Sequence, residues 1–269
     1  MFDVKDGVAT LTFNRPEAMN TWTGRMAREL TDAIKHCDLN DDIRAVVVTG
    51  SGRAFCAGAD LSSGSDSFST PHRNERRDSK KKKTRPTPAE AVFPFMIRKP
   101  VIAALNGHAI GVGITYPMLC DMRFVAEDAK IQFAFVHRGV IPELASQVIV
   151  ARVAGLSRAV DLLLSGRMIR GREFAEMGLA SAALPAEEVL PAALERARDF
   201  VNTAPTSVAI SKRLLWEGLA LSAPQRIERE MKLFAWAGNQ PDAPKGVLAF
   251  LEKRPSQWKL RASTDLPEM

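Results

Sequence analysis

Cysteine is scarce in this chain. Cys37, Cys56 and Cys120 are the only three in 269 residues, and no two form a C-x-x-C pair. That excludes a disulfide framework and points to a reduced, cytoplasmic protein. Histidine is almost as rare, and His36, His72, His108 and His137 show no metal-ligand spacing. H-E-x-x-H, Walker A, G-x-S-x-G and EF-hand patterns are all missing, so neither a metal nor a bound cofactor is expected. A long apolar span is missing too. Val101 to Cys120 holds no Lys, Arg, Asp or Glu, but it contains Asn106, His108, three glycines and Pro117. A buried strand, a turn and a buried helix fit it better than a membrane crossing. The first residues, MFDVKDGVATLTF, show no basic region followed by an apolar one, so no secretory signal is expected.

What is present is an ordinary globular balance: 46% apolar and 25% charged residues, enough for a sizeable core in one large domain or in one domain plus a small appendage. The net charge of +6 is concentrated. Between Ser62 and Glu90 eight Lys and Arg face four acids. That stretch, with Lys80 to Lys83 at its centre, reads as a flexible basic loop or lid. The remainder is nearly neutral, which argues against a nucleic-acid binder that uses its whole surface.

Val8 to Phe13 alternates as a strand that ends at Asn14-Arg15-Pro16. Met26, Leu30, Ile34 and Cys37 predict a helix over 23–38. Ile43 to Gly50 and Pro100 to Gly107 read as buried strands. Residues 89–97 read as a helix, and a further helix runs from Gly111 through Leu119. Two short strands follow, in DMRFVAED and KIQFAF. From Glu143 onward strands nearly vanish, and helices are predicted over 143–154, 157–164, 171–177, 187–202, 206–220, 224–237 and 243–253. The fold class is therefore α/β, mixed in the first half and helical at the C-terminus.

Three pieces carry chemistry. In AFCAGADL, Gly58 lets the backbone approach a ligand, the N–H of Ala59 is placed to point into a cleft, and Asp60 is placed to cap a following helix. An ordinary strand-to-helix turn explains the same letters. In NGHAIGVGITY, Gly111 and Gly113 flank Val112 at a strand-to-helix junction, where unpaired N–H groups and a dipole end gather. Tight packing explains these glycines equally well, and the third glycine of a dinucleotide fingerprint is missing. Glu143, in VHRGVIPELASQ, is either a first-turn acid or an acid/base.

Together these pieces resemble the crotonase, or enoyl-CoA hydratase/isomerase, family. The matching strings include LTFNRPEAMNTW, VVVTGSGRAFCAGADL, KPVIAALNGHAIGVGITYPMLCDMRFVAEDAKI, GVIPELAS, LLLSGRMIRGREFAEMGLASAAL and KGVLAFLEKRPSQW. They stand in the family's order over nearly the whole chain. The resemblance implies a spiral of ββα turns over 1–200 and a helical trimerisation region over 201–269, in a homotrimer or a hexamer built as a dimer of trimers. It implies an acyl-CoA thioester substrate, with coenzyme A part of the substrate rather than a cofactor. On matching positions, the oxyanion hole is the N–H of Ala59 and of Val112. The substrate is lined by Ala57, Gly58, Asp60, Leu61, Gly111, Thr115 and Phe135. Phe250 and Lys253 reach the CoA of a neighbouring subunit. The family's hydratases use two glutamates, whose positions fall here on Thr115 and Phe135. Glu143 matches the working acid of isomerase-type members, in an apolar setting expected from Phe133, Phe135, Val140, Ile141 and Leu144. Isomerisation of an enoyl-CoA double bond is the favoured reading. Hydration with Glu143 as sole acid/base, a non-catalytic acyl-CoA binder and an RNA-binding member are the alternatives.

Overall fold

The computed structural model describes residues 1–68 and 90–268. The centre of the predicted basic lid, including Lys80 to Lys83, lies outside the described residues.

Strands in the first half are shared alternately between two sheets. β1 (Phe2–Lys5), β2 (Val8–Phe13), β3 (Ala45–Gly50), β5 (Val101–Leu105), β7 (Met122–Ala126) and β10 (Ala182–Leu184) form a six-stranded sheet in that spatial order. β4 (Ala54–Cys56), β6 (His108–Ile110), β8 (Lys130–Gln132) and β9 (Ile169–Arg170) form a four-stranded one. Each long strand thus hands the chain to a short strand in the other layer, which then returns it. The pairings are parallel except β1 with β2 and β8 with β9. Register holds Val46 opposite Val101 and Ile102 opposite Met122, so equivalent positions of successive turns stack. This is the spiral of ββα turns.

The central strands β3 and β5 are buried along their whole length, which is why they read as unbroken apolar runs. α1 (Gly24–Leu39) opens where the Thr23 hydroxyl accepts from the Met26 N–H at 3.1 Å. It buries Met26, Leu30, Ile34 and Cys37 on one face, as the spacing predicts. α6 (Ala186–Asp199) packs against β3, β5 and β7. Near the centre, Lys212 of α7 (Pro205–Glu217) meets Asp121 at 2.8 Å and also donates to the carbonyls of Pro94 and Lys99. Asp121 in turn accepts from the Val101 N–H and from the indole of Trp216. A charge pair this deeply buried holds only because every remaining donor and acceptor has a partner.

Several expected elements differ. Residues 90–97 hold a 3₁₀ turn, Pro94–Met96, in place of a helix. Phe93 before it is extended, and Phe95 packs on Trp216, ring centroids 5.3 Å apart. The helix from Gly111 stops as α2 (Val112–Thr115), because Pro117 restarts the chain as a 3₁₀ turn. α3 (Ser146–Ala154) starts three residues later than predicted. α4 (Leu156–Ser165), α5 (Gly171–Glu176), α8 (Ala223–Gly238) and α9 (Asp242–Leu251) lie within two or three residues of their predicted bounds. β1, β4, β6, β9 and β10 add strands that the pattern did not show; β4 falls in GSGRAFCAGADL, which reads as a glycine-rich turn.

No helix among the described residues is long and apolar enough to cross a membrane. After α9 the chain returns as a strap. The Trp258 indole donates to the Asn202 carbonyl, the N–H groups of Lys259 and Leu260 donate to buried Asp242, and Ser263 binds Asp41.

Candidate active site

β4 ends at Cys56, and the next residues run beside Trp22. Trp22 N–H donates to the Gly58 carbonyl at 2.7 Å, and Asp60 N–H donates to the Trp22 carbonyl at 3.0 Å. In such a parallel bridge the residue between the two bonds turns its own N–H away from the partner. Ala59 is that residue. Its N–H has no acceptor among the described residues. The β3–β4 turn that leads into β4 is fixed by two amides. Buried Asn20 donates to the carbonyls of Ser51 and Ala54 and accepts from the Arg15 N–H. Asn106 accepts from the Gly50 N–H and donates to the Gly52 carbonyl. Neither asparagine stood out in the sequence, where both look like ordinary turn residues. The only signal was that Asn106 directly precedes Gly107.

The second N–H belongs to Val112, the first residue of α2. Gly111 before it adopts φ 55°, ψ −122°, a conformation that side chains exclude. Gly113 has the other role foreseen for these glycines. A Cβ there would stand 2.0 Å from the Cys56 carbonyl oxygen, so only glycine lets α2 seat directly on β4. Four residues make too short a helix for a substantial dipole. What α2 supplies is the orphan N–H of its first turn, which has no acceptor among the described residues.

Glu143 is the third component. It is not a first-turn acid, since α3 begins at Ser146 and Ala145 is its cap. Leu144 (φ 56°) and Ala145 (φ 54°) are consecutive left-handed residues that are not glycine. Each costs on the order of 1–3 kcal/mol and persists only where the surroundings dictate it. Pro142 and Ser146, both buried, anchor this kink on either side.

These parts meet on one cavity of about 70 Å³, lined by Ala57, Gly58, Ala59 and Leu61 from the first loop, by Gly111 and Val112 from the second, and by Phe135 and Glu143 from the third. Phe68, Ile110, Ala134, Arg138 and Val140 complete its described wall. Arg138 was not foreseen. It donates to the Ala134 carbonyl at 2.8 Å.

Other expected residues stand apart. Asp60 caps no α-helix. It accepts from the Ser62 N–H at 3.0 Å and lies 3.5 Å from Arg15. The hydrogen bonds from Ser62, with Arg15 nearby, hold its carboxyl below the usual range. Thr115 is wholly buried and does not line the cavity, and its hydroxyl has no partner among the described residues. Phe133 is buried elsewhere, and Ile141, expected to shield Glu143, is 79% exposed. Phe250, 82% exposed in α9, and Lys253 just after it do not line the cavity of their own chain.

Nearby groups offer no competing chemistry. Burial pushes the Cys56 thiol up to about 11, which keeps it neutral. His108 is the first residue of β6, and its Nδ1 accepts from the Lys130 N–H at 3.2 Å. Among the described residues no group of three or more His, Cys, Asp or Glu is placed to hold a metal ion. Two outward N–H donors and one carboxylate on a shared apolar cavity can hold a developing oxyanion and move a proton beside it.

A two-layer ββα spiral is the fold of the crotonase superfamily. The sequence model of the enoyl-CoA hydratase/isomerase family matches residues 3–261, and the chain belongs to that family. It is 34% identical over 253 residues to a probable enoyl-CoA hydratase of Bacillus subtilis, covering 94% of this chain and 95% of the relative. It is 31% identical over 266 residues to the 1,2-epoxyphenylacetyl-CoA isomerase of Escherichia coli, covering 95% and 96%. Among solved structures, a probable enoyl-CoA hydratase/isomerase from Mycobacterium abscessus superposes with TM-score 0.87 at 35% identity, over 96% of this chain and 98% of that one.

Proposed function

We propose that this enzyme moves a double bond within an enoyl-CoA thioester. The Glu143 carboxylate removes a proton from the carbon next to the thioester carbonyl. The electron pair spreads over the dienolate, whose oxygen is held by the N–H groups of Ala59 and Val112. Glu143, now protonated and able to exchange with solvent, delivers a proton two carbons further along. No water is consumed and no redox partner is required.

One observation carries the choice. Glu143 is the only carboxylate among the described residues lining the cavity. Thr115 and Phe135 stand where the family's hydratases place their two glutamates: the first is buried away from the cavity, the second is part of its apolar wall. A 1,3-proton shift needs one carboxylate, whereas hydration gains from a second group that orients water. Incubation with 3-enoyl- and 2-enoyl-CoA esters in ¹⁸O-labelled water separates the chemistries. Double-bond migration without label in the product is expected. Label at the 3-position would establish hydration instead, and tight thioester binding without reaction across several acyl groups would leave a binder.

We further place the subunit contacts on residues 201–269. Met231, Phe234, Val247, Phe250 and Leu251 stand exposed there on α8 and α9, a set of apolar side chains that a partner would cover. Phe250 and Lys253 would then serve the CoA of a neighbouring chain. Sedimentation velocity is expected to give a trimer or a hexamer, and a monomeric mass at micromolar concentration would sink this placement.

A further inference from the structure

A second cavity, of about 280 Å³, lies at the N-terminal ends of β3 and β5 and is bordered by the C-terminal strap. It shares no lining residue with the cavity that holds Glu143. Its described wall is strongly cationic, with Arg44, Arg98, Lys99, Lys259 and Arg261 against Asp41 and Asp42. Asp41 and Arg98 are already engaged, and Asp42 is exposed to solvent. Arg98 pairs with Asp38 at 2.6 Å, and Asp41 accepts from the N–H and hydroxyl of Ser263.

Arg44 and Lys99 form the floor. Lys99 is 4% exposed, and its ammonium donates to the Asn40 carbonyl at the end of α1. The Arg44 guanidinium donates to the Thr203 carbonyl. Among the described residues neither is within ion-pair distance of a carboxylate. An ammonium carries three donors and a guanidinium five, so one carbonyl each leaves most of them unused. Burial lowers the proton affinity of both below the ordinary range, with Asp41 opposing it. That is the behaviour of cations desolvated without full compensation. Lys259 and Arg261, on the strap, line the same space from the other side.

We propose that this cavity binds a phosphate group, free or carried as a small phosphate ester. A dianion with several acceptor oxygens meets a fork from Arg44, a point charge from Lys99 and the strap cations together. A single planar carboxylate, with one charge and two oxygens, cannot reach all of them.

The test is titration of the intact protein with inorganic phosphate by calorimetry, at ionic strength held constant with chloride. One saturable site per chain is expected. The double variant Lys259→Ala/Arg261→Ala leaves Arg44 and Lys99 untouched and should weaken binding roughly ten-fold or more. Arg44→Lys, which keeps the charge and loses the fork, should fall between. Glycerol 3-phosphate distinguishes the sources, tighter binding than phosphate marking an ester-linked group and equal or weaker binding a free ion. Absence of saturable binding, or equal binding by the double variant, would overturn the proposal. So would loss of binding when acyl-CoA is saturating, because the phosphate would then be reporting the thioester site. Glu143→Gln leaves the expected result unchanged, so this site and the isomerase reading fail separately.

Discussion

Glu143→Gln is expected to lower kcat by about 10²–10⁴-fold while leaving acyl-CoA affinity within a few-fold, because the amide keeps the shape and hydrogen-bonding reach of the side chain but cannot accept a proton. The residue sits on a kinked loop between buried Pro142 and buried Ser146, so an isosteric change should leave the backbone where it is. The cleanest readout is exchange of the α- and γ-protons of an enoyl-CoA in deuterated water. Exchange should be lost in the variant while binding persists. Exchange that survives would move the base to another residue, and the proposed function would lose its acid/base.

The second large effect concerns a main-chain atom. Val112→Pro removes one N–H from the proposed oxyanion site. Proline is tolerated at the first position of a helix, where the N–H has no helical acceptor. Val112 occupies that position in α2. Loss of one such donor costs about 10²–10³ in kcat, or 2.7–4 kcal/mol. Val112→Ala is the control. It keeps the N–H and removes only the two methyl groups beside the cavity, so turnover should survive even if acyl preference changes. Equal, full activity in both variants would show that the developing charge is held elsewhere.

The main frame was legible because its cause is local. β3 and β5 are buried on both faces, and α1 buries one stripe, so their residue types report their positions directly. β1 was not legible, because all four of its residues are exposed and only pairing with β2 makes them a strand. β6, β9 and β10 are two or three residues long and take their form from the neighbouring strands. Pro142-Glu143 imitates a helix start, and only the left-handed pair Leu144-Ala145 delays the helix.

The site shows the same division. The glycines announced a close backbone approach, and the structure assigns Gly111 to conformation and Gly113 to packing against Cys56. Nothing local could show that Asn20 would hold Ala54, thirty-four positions away, or that Arg138 would share the cavity wall with Glu143. Those facts depend on how the turns of the spiral stack, which no single segment encodes.

That stacking bears on assembly. In the six-stranded sheet the spatial order β1-β2-β3-β5-β7-β10 is also the order of synthesis. Each strand leaving the ribosome can join the exposed edge of those already paired, and none has to be threaded between two earlier ones. At about 5–20 residues per second, the sheet can grow one edge at a time until Ala182–Leu184 closes the series, so the N-terminal turns never have to open again to admit a late arrival.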